Sequence, residues 1–362
     1  MKRRSLIIFA LLAAIVALPM LLRRETATSK ASRADDRLVI LTPHNESIRQ
    51  EFGEAFAAWW KHSTGRTIHV DWRSPGGSSN IRMVLDAAFK AAEETGREGI
   101  GIDVFFGGGA YDFEIQSAAG RLVPSDVIRN HPDWFMEDSI PQTVSGEVFY
   151  DAQARWIGAC LSSFGICYNS DSLRRLGVEA LPASWEDLTN PVFFRQVALA
   201  DPTKSGSAAK AFEMVIQQQM QELVQGAGSD GDEVLARGWT RGLQIIQAAS
   251  ANARYFTDTS QKPPIDVIQG NSAVGLCIDF YGRGSYLATA RRVNGAADRI
   301  GYFSPPDGTV LSADPLAVLR GAPHFSVAQA FMEYVLSMDG QKLWNFKVGV
   351  PGGPARYELR RL

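Results

Sequence analysis

The sequence predicts an α/β protein built as two lobes. The chain has 362 residues, which is long for one domain and sufficient for two lobes with separate cores. Strand and helix patterns alternate in two separate blocks of the sequence, and such alternation indicates parallel sheets covered by helices. A long apolar segment between the blocks, "WIGACLSSFGICYN", is able to run from one lobe to the other.

The N-terminal segment predicts export. Three basic residues at positions 2–4 precede an apolar run of 17 residues from Leu6 to Leu22. A basic start followed by such a run is typical of a signal peptide, and its length is also close to the minimum that spans a bilayer. We predict that residues 1–34 are a signal peptide or an uncleaved N-terminal membrane anchor plus a linker. The rest of the chain is then periplasmic or otherwise extracytoplasmic.

The first block predicts three strands and two helices. "RLVILTP", "TIHVDWRS" and "GIDVFFGGG" are the strands, and the first is too continuously apolar for a half-exposed strand. Between the first two, Ile48, Phe52, Phe56 and Trp59 recur at helical spacing. A second helix ends near Thr95. The order β-α-β-α-β implies a parallel sheet.

The second block repeats this pattern. "VALADPTKSGSA" predicts a strand, a loop and the start of a helix, and "SAVGLCIDFYG" predicts another buried strand. Near the end of the chain, "SVAQAFMEYVLSMDGQKLW" predicts an amphipathic helix. The second block therefore forms a second α/β unit.

The charge of the exported part excludes some partners. Beyond residue 34 the chain has 30 basic and 38 acidic residues, a formal charge of −8. An acidic protein of this kind is a poor partner for nucleic acid or an anionic membrane surface. A small anionic ligand is not excluded, because a binding site depends on local donors.

The three cysteines lie in apolar runs. Cys160, Cys167 and Cys277 are therefore predicted to be buried thiols. A disulfide between Cys160 and Cys167 is possible from the sequence. At least one thiol is unpaired, because the number of cysteines is odd.

The candidate ligand-binding residues lie in loops rich in hydroxyl groups and glycine. In open parallel sheets, ligands bind beyond the carboxyl ends of the strands. Most of the candidates lie in five loops predicted at that position, "TPHNES", "SPGGSSN", "FGGGAYDF", "DPTKSGSA" and "IDFYGRG". The predicted ligand-binding residues are His44, Asn45, Ser78, Ser79, Gly108, Thr203, Ser205, Gly206, Ser207, Ser260, Asp279 and Tyr281.

The loop at residues 205–207 gives the most specific indication. Ser205, Gly206 and Ser207 immediately precede a predicted helix. A helix N-terminus has unpaired N–H groups and a partial positive charge, so it binds anions. Gly206 allows the backbone to approach a ligand closely. An ordinary N-cap without a ligand is the alternative.

No catalytic motif accompanies these loops. The sequence has no GxSxG and no HExxH, and the lysine of "DPTKSGSA" precedes the small residues, unlike a Walker A loop. A nucleophile with a base beside it cannot be placed. The sequence therefore predicts no enzyme activity and no catalytic residues.

Several segments resemble a known family. "SWEDLTNPVFFRQVALADPTKSGSA" resembles the family-1 extracellular solute-binding proteins, particularly the periplasmic ferric-ion-binding branch. "FGICYNSDSL", "IDFYGRG" and "FMEYVLSMDGQKLW" are similar to further segments of that family. The resemblance implies a periplasmic-binding-protein type II fold, with two α/β lobes, a hinge and an interlobe ligand cleft. It also implies closure on binding and delivery to the permease of an ABC transporter in the inner membrane.

The resemblance also implies lobes that are discontinuous in sequence, because the family crosses between lobes more than once. Lobe 1 would contain residues 37–163 and 303–345. Lobe 2 would contain residues 164–302, with the C-terminal tail 346–362.

The ferric-binding members hold iron with a histidine, a carboxylate and two tyrosines, and this chain departs from that set. His44 and Tyr281 fall on two of these positions and are the metal ligands that the resemblance implies. The first tyrosine is Phe280 and the carboxylate is Gly108, and neither side chain coordinates a metal. Asp279 replaces Phe280 only if the backbone turns there, because neighbouring residues of a strand point to opposite sides.

We therefore predict an extracytoplasmic substrate-binding protein of an ABC importer. It would capture a small anionic solute, phosphate- or carboxylate-bearing, or a metal–anion complex. Its partners would be that solute and the ABC permease, with no nucleic acid, no resident cofactor and a monomeric state. The alternatives are a ferric-iron transport protein, an exported enzyme acting on a phosphorylated or acylated substrate, and a membrane-tethered sensor.

Overall fold

The computed structural model describes residues 34–284 and 299–359. The predicted signal peptide or anchor at residues 1–34 lies outside the described residues, apart from its last position. The strands, in chain order, are β1 (Asp36–Leu41), β2 (Ile68–Arg73), β3 (Val104–Phe106), β4 (Leu122–Val123), β5 (Thr143–Val144), β6 (Glu147–Val148), β7 (Ile157–Ser162), β8 (Phe164–Asn169), β9 (Val197–Ala200), β10 (Ala253–Thr257), β11 (Val274–Ile278), β12 (Ile300–Phe303) and β13 (Ser312–Leu319).

Eleven α-helices are present in the same described ranges. They are α1 (Glu46–Thr64), α2 (Ser78–Glu94), α3 (Ala110–Ala118), α4 (Val127–Asn130), α5 (Ser170–Arg175), α6 (Gly206–Ala227), α7 (Asp232–Ala251), α8 (Lys262–Ile268), α9 (Asp279–Arg283), α10 (Phe325–Leu336) and α11 (Met338–Asn345). None of these helices is both long and apolar enough to span a bilayer.

The first sheet has the order β2-β1-β3-β13-β4, and β7 also pairs with β13. β1 is parallel to β2 and to β3, so the predicted parallel β-α-β-α-β unit is confirmed. β13 arrives from much later in the chain and is antiparallel to β3, β4 and β7. The sheet is therefore completed by a C-terminal strand.

Both faces of the first sheet are buried. Val104 and Phe106 pack into one core cluster with Phe56 of α1 and Phe331 of α10. Phe105, between them, packs into a second cluster on the other face, because successive strand residues point to opposite sides. Burial on both faces explains why the strands of the first block are continuously apolar.

The second sheet has the order β10-β9-β11-β8-β12. β9 is parallel to β10 and to β11, whereas β8 is antiparallel to β11 and to β12. Its core contains Leu199 of β9, Met214 of α6, Ile245 of α7 and the buried Trp185. Each sheet with the helices packed on it forms one lobe, so the molecule has two α/β lobes.

In the described residues, the chain passes between the two sheets twice. β7 belongs to the first sheet, β8 belongs to the second, and only Ser163 separates them. The apolar segment that was predicted to connect the lobes forms these two strands. The chain returns to the first sheet between Phe303 and Ser312. The residue boundaries of the two lobes, taken as units that move relative to each other, remain a prediction.

The C-terminal tail packs on the first lobe, although the sequence placed residues 346–362 with the second. The Glu51 carboxylate of α1 accepts hydrogen bonds from the backbone N–H groups of Ala355, Arg356 and Tyr357, at 2.7, 2.7 and 2.8 Å. Leu359 is fully buried in the core of the first lobe. A buried acidic side chain on α1 therefore holds the described part of the tail.

The three cysteines are buried thiols, as predicted. Cys160 lies on β7 of the first sheet and Cys167 on β8 of the second, and no disulfide joins them. The Cys160 thiol faces Asp314, with Sγ 3.8 Å from Oδ2, and the Cys167 thiol donates to the Gly275 carbonyl.

Replacing Glu51 with Ala should destabilise the first lobe. Three backbone N–H groups of the tail would lose a charged and buried acceptor, so we expect the free energy of unfolding to fall by about 2–4 kcal/mol. Urea denaturation measures the change. Glu54→Ala is the matched control, because Glu54 lies on the same helix and is 54% exposed next to Arg356. The control should lose less than about 1 kcal/mol, and equal losses in both variants would contradict the proposed role of Glu51.

Candidate ligand-binding cleft

A cavity of about 680 Å³ lies between the two lobes. Residues of both lobes line it, including Ser78 and Asp112 of the first and Ser207 and Lys210 of the second. A cavity of this size is typical of sites for small molecules.

Among the described helices, α2, α3 and α6 begin at the cleft. α2 starts after Gly77, α3 starts after Gly109, and α6 starts after Ser205. The first turns of all three line the cavity. The caps of α2 and α3 are glycines that provide no side-chain hydrogen bond, so their first N–H groups need another acceptor. Three partly positive helix ends from two lobes therefore converge on one cavity.

The starts of α2 and α6 touch each other across the cleft. Ser79 Oγ donates to the Thr203 carbonyl at 2.7 Å. A Cβ atom built on Gly206 would lie 2.7 Å from Ser78 Oγ, and one built on Gly77 would lie 2.7 Å from the Lys204 carbonyl oxygen. The two loops approach this closely only because both positions are glycine.

The Ser205 hydroxyl caps α6, since its Oγ accepts a hydrogen bond from Ala208 N–H at 3.3 Å. The ordinary N-cap that the sequence left as an alternative is therefore present. Capping uses the oxygen as an acceptor and leaves the hydroxyl hydrogen for another partner. The capping role and a ligand-binding role are compatible.

Lys210 is the base that the second lobe contributes to the described lining of the cavity. Its Nζ lies 2.8 Å from Glu147 Oε1 of β6 and 3.1 Å from Glu213 Oε1 of its own helix. Burial lowers the pKa of Lys210, but hydrogen bonds to the two carboxylates outweigh burial and hold the pKa above its ordinary value. The pair with Glu147 joins the lobes, because β6 precedes the crossing at Ser163 and α6 follows it.

Arg82 is the strong base that the first lobe contributes to the same lining. Its Nη1 lies 3.6 Å from Oδ1 of Asp112, the third residue of α3. Burial raises the pKa of Asp112 to about 6, although the positive charge of Arg82 lowers it.

His44 is bound by a residue that sequence reasoning missed. His44 Nε2 lies 3.0 Å from Asp314 Oδ2, and both side chains are buried. Asp314 Oδ1 accepts a hydrogen bond from Gly108 N–H at 3.0 Å. The imidazole also packs edge-on against Phe106, with ring centroids 4.6 Å apart. Asp314 therefore fixes both the histidine and the glycine loop, where the resemblance had implied a metal ligand at His44.

The structure brings most of the predicted ligand-binding residues together. Within the described parts of the chain, nine of the twelve line the cavity, and they come from both lobes. They are His44, Ser78, Ser79, Gly108, Ser205, Gly206, Ser207, Ser260 and Tyr281.

The other three have different positions. Asn45 caps α1, with Oδ1 accepting from Ile48 N–H at 3.2 Å. Thr203 donates to Asp201 Oδ1 at 2.7 Å. Asp279 is fully buried outside the cavity lining, because β11 ends at Ile278 and a helix begins at Asp279. The backbone does turn there, but the Asp279 side chain bonds to the N–H of Phe280.

The residues present fit a metal ion poorly. Among the described residues, no three His, Cys, Asp or Glu side chains are arranged to hold a metal. His44 Nε2 is already paired with Asp314. Phe280 and Tyr281 are both buried and pack edge-on, with centroids 4.9 Å apart.

The charged residues of the cleft were not found from sequence. Arg82 lies two residues after the loop "SPGGSSN", and Asp112 lies inside the loop "FGGGAYDF", so their surroundings were singled out from the sequence but these two side chains were not. Asp314 gave a clearer signal, because it is an acidic residue inside the apolar segment "SADPLAVL". A buried charge requires a partner.

Replacing Gly206 with Val should hold the cleft open. The new side chain would collide with Ser78 across the cleft, so the starts of α2 and α6 could not meet. We expect small-angle scattering to give a larger radius of gyration for Gly206→Val than for the unmodified protein. Gly226→Val is the control, because a Cβ at Gly226 meets nothing within 4 Å. Equal radii for Gly206→Val and the unmodified protein would contradict the predicted closure.

Comparison with known proteins agrees with this architecture. AfuA from Actinobacillus pleuropneumoniae, a periplasmic binding protein solved with exogenous fructose-6-phosphate bound, is 20% identical with a TM-score of 0.64, covering 85% of this chain and 82% of that one. Iron-bound HitA from Pseudomonas aeruginosa is 19% identical with a TM-score of 0.52, covering 84% and 82%. Identities this low show the fold alone.

Curated relatives match over part of their length. An uncharacterized protein of Haemophilus influenzae is 24% identical over 241 residues, which are 67% of this chain and 60% of the relative. The phosphoglycerate transport regulatory protein PgtC of Salmonella typhimurium is 23% identical over 216 residues, 60% of this chain and 47% of PgtC. The matched region therefore spans about half to three fifths of these relatives.

A family model covers most of the described chain. The model of bacterial extracellular solute-binding proteins matches residues 102–357, which include β3 and α3 of the first lobe and the whole described second lobe. The match contains the loop at residues 205–207 and most of the cleft. This is a family of binding proteins for transport and not of enzymes. With two α/β lobes around a cleft, the chain belongs to the bacterial extracellular solute-binding proteins.

Proposed function

We propose that the protein captures a small solute with a phosphate or carboxylate group and presents it to the permease of an ABC importer. The anionic group lies at the starts of α2, α3 and α6. The rest of the solute lies against the polar residues of the cleft, including His44 and Tyr281.

The observation that supports this proposal most strongly is the convergence of three helix N-termini from two lobes on one cavity. Each end carries a partial positive charge and unpaired N–H groups. An anion is the ligand that satisfies donors of this kind. Since the donors come from both lobes, binding also favours the closed arrangement.

Two similar proteins support a phosphorylated organic solute. AfuA is described with fructose-6-phosphate bound, and PgtC is named for phosphoglycerate transport. Carboxylates such as Glu114 and Asp258, which also line the cavity, accept hydrogen bonds from hydroxyl groups. An anionic group with a hydroxylated body suits both kinds of lining.

Bare ferric iron is the weaker candidate. Its case rests on similarity to iron-bound proteins such as HitA and on His44 and Tyr281. A trivalent ion requires several anionic oxygen ligands, whereas Phe280 and Gly108 replace two of the side chains that the ferric-binding members use. A metal–anion complex held through its anion stays compatible with the helix ends.

Membership of the family supports a proposal for the partners and the location. An extracellular solute-binding protein works outside the cytoplasmic membrane, in the periplasm if the outer membrane is present. We propose a monomer that is released after cleavage of the N-terminal segment or tethered by it, and that docks on the permease in its closed form.

Replacing Arg82 with Gln should weaken anion binding. Loss of one charged donor corresponds to about 1.5–3 kcal/mol, or roughly ten- to a hundredfold in affinity. Calorimetry with 3-phosphoglycerate, fructose 6-phosphate, inorganic phosphate and citrate measures the effect. Arg129→Gln is the control, because the Arg129 side chain is 76% exposed outside the cavity. Failure of the unmodified protein to bind any of these solutes would contradict the proposed function.

Addition of ferric citrate should leave the protein colourless. Tyrosine phenolates bound to ferric iron absorb visible light. Of the two tyrosines that the ferric-binding members use, only Tyr281 is present here, because the other position is Phe280. Visible absorption spectra of the unmodified protein and Tyr281→Phe test this. A salmon-to-red colour that disappears in Tyr281→Phe would restore the iron-transport function.

A further inference from the structure

One carboxylate occupies the place where the proposed function puts the solute's anion. Asp112 is the third residue of α3, in the first turn after the glycine cap of that helix. Its side chain is only 10% exposed and lines the cleft. The positive end of α3 and the Arg82 guanidinium, which would both attract a solute anion, therefore already face a negative side chain.

The pair between Arg82 and Asp112 is loose. Its closest atoms, Nη1 and Oδ1, are 3.6 Å apart, which is too long for a direct hydrogen bond. The Arg82 side chain is 34% exposed, so it is accessible to a second partner in the cavity. A bidentate phosphate or carboxylate is a better partner for a guanidinium than a carboxylate at this distance.

Burial makes the charge of Asp112 costly. It raises the pKa of this carboxyl to about 6, and Arg82 is the charge that opposes the rise. A solute anion bound to Arg82 would screen that positive charge and add repulsion. Both effects favour the protonated form of Asp112.

We propose that Asp112 couples anion binding to a proton: its carboxylate neutralises Arg82 in the empty protein, and an incoming anion pairs with Arg82 while Asp112 binds a proton from solvent. The inference rests on the proposed function, since it concerns the same anion site. Solute capture is then linked to the uptake of a proton. The affinity for an anion whose own charge is constant falls as pH rises above about 6.

The other charged groups around the cleft do not replace Asp112 in this role. Lys210 is paired with Glu147 and Glu213. His44 is the other described side chain of the lining whose type changes charge between pH 5 and 8. The charged or titratable groups of the lining are His44, Arg82, Tyr111, Asp112, Glu114, Glu147, Lys210, Glu213, Asp258, Tyr281 and Asp314.

The test compares the full chain with Asp112→Asn, using inorganic sulfate as the probe because its charge is constant between about pH 5.5 and 7.5. For the unmodified protein, we expect the sulfate affinity to fall by up to about tenfold between pH 6.5 and 7.5, since one linked proton gives tenfold per pH unit. Asp112→Asn should bind about tenfold more tightly than the unmodified protein near pH 7.5, with a flat pH profile. Calorimetry in two buffers with different ionisation enthalpies should show proton uptake only when Asp112 is present.

A control variant separates local from general charge effects. Asp126→Asn removes one exposed carboxylate of the first lobe, paired with Arg129 outside the cavity, and should keep the pH profile of the unmodified protein. Folding is checked by the pH dependence of stability. Because the folded pKa of Asp112 lies above its ordinary value of 3.8, its contribution is present below that value and is lost as pH rises through about 6. Asp112→Asn should lack this loss.

The outcomes are distinguishable. Sulfate binding with the same affinity and pH profile in Asp112→Asn would overturn this inference and leave the proposed function standing. A pH dependence that persists in Asp112→Asn would come from another group and would also overturn it. No sulfate binding by either protein at any pH would overturn the anion site itself, and the inference with it.

Discussion

The contact between the starts of α2 and α6 is the constraint on which the cleft depends. Both ends carry partial positive charge, so bringing them together is electrostatically unfavourable unless something negative lies nearby. Glycine at positions 77 and 206 removes the steric barrier, and the Ser79–Thr203 hydrogen bond and the Lys210–Glu147 ion pair hold the lobes together. The contact between the two helix ends is therefore stabilised by an anion bound between the lobes.

Much of the fold was predictable because its signals are local. Strands buried on both faces are continuously apolar, so β1, β3 and the crossing pair β7 and β8 were visible in the sequence. The tail was misplaced because its position depends on Glu51, a charged residue that packing against the tail keeps only 4% exposed. Nothing in the sequence around Glu51 indicates which distant N–H groups it binds.

The residues of the site also separate into those with a local sequence signal and those that depend on distant contacts. Ser205, Gly206 and Ser207 were identified because a small-residue loop before a helix has a local meaning. Asp279 lies outside the cavity lining although the strand ends one residue before it, and its carboxylate instead accepts a hydrogen bond from the Phe280 N–H. The pairs Arg82–Asp112 and His44–Asp314 join residues 30 and 270 positions apart. Their roles follow only from the packing of the first sheet, and one sequence without homologues does not contain that information.

The hydrogen bonds between Glu51 and the C-terminal tail also have a consequence for the movement of the lobes. β1, near the beginning of the described chain, lies between β2 and β3 in the first sheet, and the described end of the chain is bound to α1 on the same sheet. The second sheet is therefore an insertion between two segments of the first lobe. A tether attached through either end would therefore fix the position of the first lobe. The second lobe would be the part that moves, and its orientation relative to the first lobe would depend on whether a solute is bound.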